Sequence, residues 1–240
     1  MKRWLAAAFA LMSGARAIAG PPYITDDPAP TDAGHWEIYG FATGDGQGSD
    51  VDADAGLDLN YGPVKGVQLT ATLPLSFTHD SVGGWRSGTG DVELAVKYRF
   101  LDDEKSGFSA AIFPRVFLPT SSLESHERTR LLLPVWIGKD FAGGTSLFGG
   151  GGYEINPGPG NRNFWQAGIA LTHDASKTVS VGGELAWQQR SETDGTSETE
   201  AGLGSIVKLS NNYALLFSGG PTWAEHRTGY HFYGALGLFF

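Results

Sequence analysis

Apolar and polar residues alternate one by one in segment after segment of this chain, and this period constrains the fold more than any other feature. Residues 67–78 read VQLTATLPLSFT and residues 92–100 read VELAVKYRF, with an apolar side chain at nearly every second position. The same period recurs in residues 51–61 and 179–187. Successive side chains of a β-strand point to opposite faces, so this period indicates strands with one apolar and one polar face. We therefore predict an all-β protein.

Connections between the alternating segments differ in length in a regular order. Twelve strands are predicted, over residues 35–43, 50–61, 67–78, 90–101, 107–118, 130–140, 145–155, 164–173, 178–189, 198–209, 213–222 and 230–240. Longer connections (44–49, 79–89, 119–129, 156–163, 190–197 and 223–229) alternate with shorter ones (62–66, 102–106, 141–144, 174–177 and 210–212). Long loops at one end and tight turns at the other are typical of transmembrane antiparallel up-and-down β-barrels. We assign residues 35–240 to one such barrel.

Both ends of the chain support export to the bacterial outer membrane. The basic start MKR, the apolar run 4–12 and the small-x-small site Ala17-Ile18-Ala19 are typical of a signal peptide, assigned here to residues 1–19. A buried N-terminal helix of a cytosolic protein is the less favoured interpretation. The last predicted strand places Tyr230, Phe232, Leu236, Leu238 and Phe240 on one face, an aromatic ending that the barrel-insertion machinery recognises in outer-membrane proteins. A soluble β-sandwich is the weaker alternative for the whole chain.

Composition excludes several partners and chemistries. The formal net charge is −9, which argues against nucleic acid, because phosphate binding needs a basic surface. The chain has no cysteine and therefore no disulfide and no thiolate metal site. Its 35 glycines suit curved strands, and its 7 Trp, 8 Tyr and 14 Phe suit the aromatic girdles of a membrane barrel. No cofactor is implied.

Polar residues on the inward face are the candidate pore lining. The set comprises Glu37, Asp52, Asp54, Asp58, Glu93, Lys97, Arg99, Arg115, Glu154 and Glu184, with Gln188, Glu198, Glu200 and Lys208 on the same faces. The basic residues lie on the fourth and fifth predicted strands, and the acidic residues lie on the second. This arrangement predicts two opposed charged walls, whose electric field would orient polar permeants. The alternative is a closed interior in which these charges pair, since twelve strands lie between packed eight-stranded barrels and water-filled porins.

Residues 20–34 precede the first strand and carry four prolines. Proline opposes regular structure, so this segment is predicted to be irregular. It is either a plug, with Thr25, Asp26 and Asp27 hydrogen-bonded to lumenal Arg or Lys side chains, or a periplasmic tail.

Three motifs resemble a known family. They are Thr25–Pro28 (TDDP), Asn60–Pro63 (NYGP) and Gly90–Phe100 (GDVELAVKYRF). Over about residues 21 to 190, the chain resembles the outer-membrane barrels named for the MetA pathway of phenol degradation. Weaker matches to the same family lie at residues 35–37, 113–114, 118–120, 133–136 and 149–153. The resemblance implies a barrel that moves small, aromatic or otherwise hydrophobic, molecules.

We therefore predict a passive outer-membrane channel or facilitator for a small-molecule permeant, in contact with outer-membrane lipid and lipopolysaccharide. The alternatives are a structural barrel without an open pore and a lipid-modifying enzyme. An enzyme would draw on Ser125 with His126, or His173 with Asp174, but neighbours in sequence are weak evidence for a catalytic pair. The four glycines 149–152 lack the Lys-Ser/Thr of a phosphate loop and indicate a closely packed wall instead.

Overall fold

The structure is a computed structural model that describes residues 22–123, 128–225 and 227–240, and all regular structure within these ranges is β-strand. The expected signal peptide lies outside the described residues. No helix in the described part of the chain is long and apolar enough to cross a membrane. The strand segments are β1 Trp36–Gln47, β2 Asp50–Val64, β3 Val67–Asp80, β4 Gly84–Thr89, β5 Val92–Asp103, β6 Phe108–Ile112, β7 Arg115–Leu118, β8 Arg130–Phe141, β9 Thr145–Ile155, β10 Phe164–Asp174, β11 Val179–Gln188, β12 Glu198–Lys208, β13 Tyr213–Ala224 and β14 Arg227–Phe239.

The fourteen segments form a closed ring with twelve wall positions, because two positions are each filled by two segments. The C-terminal half of β3, from Leu75 to Asp80, pairs with β4, and its N-terminal half, from Val67 to Thr72, pairs with β5. β5 and β8 likewise pair with both β6 and β7. Every neighbouring pair is antiparallel, and β1 pairs with β14 from Glu37↔Phe239 to Gly46↔Tyr230. The predicted twelve-stranded up-and-down barrel is confirmed.

The break between β6 and β7 falls at Phe113 and Pro114. Proline has no backbone N–H to give to the ladder, so a strand interior is interrupted where it stands. The remaining groups still bridge the gap, since Phe113 N donates to Pro134 O at 3.1 Å and Val96 N donates to Pro114 O at 3.1 Å. The barrel wall is therefore continuous through the interruption.

One end of the barrel carries short turns and also the start of β1 and the end of β14; we call it the turn end, and the opposite end the loop end. The prediction of long loops at the loop end is wrong for three of them. Residues 44–49, 79–89 and 223–229 mostly continue the strands, down to the closing pairs Gln47↔Asp50, Asp80↔Gly84 and Ala224↔Arg227. The Gly and Asp content of 44–49 and 79–89 disfavours strand by propensity, but pairing with a neighbouring strand overrides propensity.

The two faces of the wall differ as the alternation predicts. On β5, Leu94, Val96 and Tyr98 are exposed on the outer face, whereas Glu93, Ala95 and Lys97 are buried on the inner one. Outer-face aromatic residues gather towards the ends of the strands: Trp36, Tyr98, Phe100, Phe108, Phe141, Tyr213 and Phe240 towards the turn end, and Trp85, Trp165, Trp187, Trp223, Tyr230 and Phe232 towards the loop end. An apolar band between two aromatic girdles is the outer surface of a membrane barrel.

The inner face is not polar throughout. Near the turn end, Tyr39, Ala214, Leu216, Ala235 and Phe239 form a buried apolar cluster inside β1, β13 and β14. Such a packed patch narrows the lumen on that side, because its side chains occupy space that polar residues would share with water.

Candidate functional site in the barrel lumen

Residues 22–34 cross the lumen and are called the lumenal segment below. At one side, Ser218 Oγ on β13 donates a hydrogen bond to Pro22 O. At the other side, Thr31 N donates to Gln68 Oε1 on β3 at 2.8 Å, and Gly34 N donates to Gly62 O on β2 at 2.6 Å. The segment thus runs from one wall of the barrel to another before entering β1.

Glu184 on β11 holds the first part of this segment. Its carboxylate accepts hydrogen bonds from Ile24 N at 3.2 Å and from Thr25 N at 2.9 Å. Hydrogen bonds to an ionised acceptor are stronger than neutral ones. Glu184, predicted to line a pore, lies buried against the lumenal segment instead of lining open space.

Lys97 on β5 holds the middle of the segment. Its ammonium donates to Asp26 Oδ1 at 2.9 Å, to Asp27 O at 3.0 Å and to Ala29 O at 3.2 Å. An ammonium has three donors, so all of them are satisfied. The Lys97 residue is 0% exposed, and a buried charge is tolerated only when it is paired and hydrogen-bonded in this way.

The three plug candidates behave differently from one another. Asp26 pairs with a lumenal lysine, as proposed from the sequence. Thr25 contacts the wall through its backbone N–H, while its buried Oγ1 has no hydrogen-bond partner among the described residues. Asp27 accepts from Lys97 through its carbonyl and uses its carboxylate to accept from Ala29 N at 2.7 Å.

Glycines in the wall make room for the lumenal segment, and the sequence reasoning missed them. A Cβ built on Gly182 would lie 2.5 Å from the Tyr23 hydroxyl oxygen, and one on Gly138 would lie 2.8 Å from Pro28 Cγ. A Cβ on Gly168 would lie 3.2 Å from Thr25 Cβ. Because any side chain at these inward positions would collide with the segment, the wall is shaped to receive it. In the sequence, these three residues could have been found as glycines at inward-facing positions of predicted strands.

Basic residues of the predicted pore lining are paired with carboxylates. Arg115 makes a bidentate pair with Glu93, donating from Nε at 2.7 Å and from a terminal nitrogen at 2.8 Å. Arg99 pairs with Asp102 at 2.9 Å, and Arg130, which was not in the predicted lining, pairs with Glu154 at 3.0 Å and with Asp91 at 3.4 Å. The basic side of the lumen is therefore neutralised pair by pair.

Acidic residues of the predicted pore lining have mostly neutral neighbours. Asp54 accepts from Ser76 Oγ, and Asp58 accepts from Thr72 Oγ1 at 3.1 Å. Asp52 lies exposed near the loop end. Glu37 is buried near the turn end, where it accepts from the Tyr39 hydroxyl at 2.8 Å. Arginine and lysine thus pair on one side of the lumen, and carboxylates dominate the other.

A cavity of about 920 Å³ lies between the lumenal segment and the turn end, and we call it the turn-end cavity. Its lining mixes aromatic and charged side chains, among them Tyr23, Phe148, Asp140, Asp174 and Lys208. Burial, with a smaller effect of Glu184, raises the pKa of Tyr23 to about 12, so its hydroxyl stays neutral in the physiological range. A small molecule with an apolar body fits the character of this cavity.

The enzyme candidates are not brought together as a catalytic site. Ser125 and His126 lie outside the described residues. His173 is exposed, with its Nδ1 2.9 Å from Thr145 Oγ1, and it is followed on the same strand by Asp174, whose side chain points to the opposite face of the sheet. Among the described residues, no three His, Asp or Glu side chains are grouped as metal ligands.

No protein-family model and no curated protein sequence matches the chain. Solved structures do. The COG4313 outer membrane channel from Pseudomonas putida F1 superposes with a TM-score of 0.75 at 12% sequence identity, over 93% of this chain and 100% of that one. A KdgM porin in complex with disordered oligogalacturonate gives a TM-score of 0.57 at 10% identity, over 83% of this chain and 97% of that one. The translocator domain of the autotransporter NalP from Neisseria meningitidis gives 0.55 at 13% identity, over 86% and 89%. The chain therefore has the fold of the bacterial outer-membrane β-barrels.

Proposed function

We propose that this protein is an outer-membrane channel or facilitator for small molecules, in which the lumenal segment is a plug. The observation that carries the proposal is the interior itself. A cavity of about 920 Å³ opens beneath a segment that is held to the wall by polar contacts and not by a strand ladder. Channels and porins among the proteins of similar fold support the same role.

The three motifs behind the family resemblance meet at the plug, which supports membership of the family named for the MetA pathway of phenol degradation. Asp26, in the first motif, pairs with Lys97, in the third. Gly62, in the second, bonds to Gly34 at the end of the lumenal segment. Motifs far apart in sequence that meet in one place are more readily explained by a shared site than by chance.

Small aromatic or otherwise hydrophobic molecules are the proposed permeants. The turn-end cavity offers them the rings of Tyr23 and Phe148, whose centroids are 6.4 Å apart. Aromatic walls with a few charged groups are typical of sites that bind apolar small molecules in a fixed orientation. Passage is passive in this proposal, and no cofactor takes part.

Membrane placement follows from the outer face. The apolar band would contact outer-membrane lipid, the loop end would meet lipopolysaccharide, and the aromatic strand β14 would be read by the barrel-insertion machinery.

A structural barrel without an open pore is the second candidate. It is favoured by the apolar cluster around Tyr39 and by the burial of Lys97, both of which fill the interior. Current measurements separate the two functions.

The decisive experiment exploits the lack of cysteine in the chain. In the double variant Thr25→Cys/Gly168→Cys, the two Cβ atoms would start 3.2 Å apart, and an adjustment of a few tenths of an ångström brings them to disulfide distance. Single-channel currents of the purified protein are recorded before and after adding a reductant. We expect the oxidised form to be silent and the reduced form to open in discrete steps.

The single variant Thr25→Cys is the control, since a reductant should leave its currents unchanged. Equal, discrete currents in the oxidised and reduced double variant would mean a pore that bypasses the segment, and the plug would be rejected. A folded protein that is silent in both states and silent without residues 22–31 would overturn the channel and favour the structural barrel.

A further inference from the structure

The lumen between the lumenal segment and the loop end, called the loop-end chamber, has carboxylates at directly opposite positions of neighbouring strands. Asp45 on β1 stands opposite Asp52 on β2 and, on its other side, opposite His231 on β14. Glu198 and Glu200 follow on the inner face of β12. Like charges directly opposite each other in a sheet are destabilising. A row of them facing the lumen therefore costs stability that a positively charged occupant would recover.

His231 is an independent sign of an occupant. Its side chain is 5% exposed, yet neither ring nitrogen has a hydrogen-bond partner among the described residues. Nδ1 stands 3.4 Å from Glu200 Oε2 without the alignment of a hydrogen bond. A buried polar group left without a partner is costly, so a ligand that reaches this ring would be favoured.

Gly202 is the wall residue against which this ring lies. A Cβ at this position would lie 3.0 Å from His231 Nε2 and 3.3 Å from Glu184 Oε1. Because position 202 has no side chain, the imidazole and the Glu184 carboxylate can both lie against β12 on the inner face of the wall.

Other charged groups of the lumen do not neutralise the chamber. Arg115 and Arg130 on the facing wall are engaged by Glu93, Glu154 and Asp91. The chamber carboxylates are also not arranged as metal ligands, since the described residues contain no group of three that could hold a metal ion. Spread-out carboxylates around a neutral acceptor suit a larger cation with several N–H donors better than a bare metal ion.

We propose that the loop-end chamber binds small organic cations that carry an ammonium group, with Asp45 and Glu200 as its carboxylate partners and His231 as a hydrogen-bond acceptor. The site deepens the proposed function by naming a permeant class, and its role in permeation rests on that function. Binding itself does not require an open pore.

The test uses three probes of nearly equal shape and different charge: benzylammonium, benzyl alcohol and benzoate. Binding of each to the purified, folded barrel in detergent is measured by isothermal titration calorimetry at low ionic strength, where electrostatic attraction is least screened. We expect saturable binding of benzylammonium in the loop-end chamber at a stoichiometry of about one per barrel. Benzyl alcohol, which only the turn-end cavity would take, should bind much more weakly, and so should benzoate.

Variants locate the site. Asp45→Asn/Glu200→Gln keeps the shape and removes two charges, and should weaken benzylammonium binding by about tenfold or more, as for charged partners lost from a partly solvated site. The matched control is Glu192→Gln/Asp194→Asn, which removes two exposed charges from the loop between β11 and β12 at the same end and should weaken binding far less.

Three results would overturn the proposal: no binding of benzylammonium, equal binding of all three probes, or the same loss of affinity in the control variant. Currents measured in a planar bilayer test the proposed channel function separately from the binding site. A barrel that binds benzylammonium but conducts nothing even without residues 22–31 retains the site and loses the proposed function. A barrel that conducts but does not bind the cation retains the function and loses the site.

Discussion

At the residue scale, alternation predicts which way a side chain points but not what it meets. Lys97 was assigned to the lumen from its position in a strand, and the structure has it inside, fully buried under the lumenal segment. Its partners Asp26, Asp27 and Ala29 lie about 70 residues earlier in the chain. The sequence proposed a lumenal Arg or Lys as the partner of Asp26, but nothing local in the sequence encodes which basic residue it meets across the lumen, so that identity had to come from the structure.

The substitution Lys97→Met tests this contact. Methionine keeps the length of the side chain but removes three donors, which leaves Asp26 without its cation. The free energy that docks the lumenal segment in the barrel should become less favourable by about 1–3 kcal/mol. We expect faster cleavage within residues 22–34 by an added protease, while the barrel keeps its resistance to unfolding by SDS. Lys105→Met, an exposed change at the turn end, is the control. A cleavage rate equal to that of the unaltered protein would show that the ammonium does not hold the segment.

Glycine at the contact with Thr25 gives a second residue-scale prediction. Gly168→Val would push its side chain into Thr25 and should displace the lumenal segment, since a Cβ alone already falls 3.2 Å from Thr25 Cβ. Gly40→Val is the matched control, because a Cβ at Gly40 has no atom within 4 Å. We expect larger single-channel conductance in Gly168→Val only. Equal conductance in both variants would mean that the wall glycines do not control the segment.

At the scale of the strands, the sequence predicts their number and order, and errs where Gly and Asp continue a ladder. Residues 44–47, for example, read GDGQ and look like a loop, yet each of them pairs with β2. The positive φ of 64° at Gly48 then turns the chain within two residues. Local composition describes a residue's preference, whereas the neighbouring strand supplies hydrogen bonds that only the assembled sheet contains.

Closure between the first and last strands gives a prediction at this scale. Trp36 N donates to Phe240 O at 2.7 Å, and Phe240 N donates to Trp36 O at 3.1 Å. Deleting Phe240 removes both hydrogen bonds and the terminal ring, whereas Phe240→Ala removes the ring alone. We expect the deletion to lower the folded yield in lipid vesicles more than the substitution, as measured by the heat-modifiable shift on a gel. Phe100→Ala, an outer-face aromatic towards the same end, controls for loss of a ring, and equal yields throughout would contradict a role of this pair in closure.

At the scale of the whole molecule, charge is distributed unevenly around the lumen. Arginines and lysines are held in pairs beside β5 to β9, whereas carboxylates that face no Arg or Lys partner among the described residues line β1, β2 and β12 towards the loop end, where Glu200 lies 3.4 Å from His231. The sequence predicted both walls, because strand order alone places them. It left open whether these charges would pair, since pairing depends on cross-strand and segment contacts. The electrostatic potential inside the lumen is therefore negative on balance, in agreement with the net charge of −9.

An acidic lumen should prefer cations, and the preference should depend on salt. The carboxylates to neutralise are Asp52, Asp54 and Asp58, changed together to Asn in the Gly168→Val background so that current is measurable. We expect the reversal potential in a salt gradient to move towards anion permeation. The shift should be larger near 0.01 M salt, where the Debye length is about 30 Å, than at 1 M, where it is about 3 Å. Asp102→Asn, at the turn end, is the control for loss of a carboxylate elsewhere. A reversal potential that does not move at either salt concentration would mean that permeating ions do not pass along the β2 wall, because charges within a Debye length of the ion path must act on it.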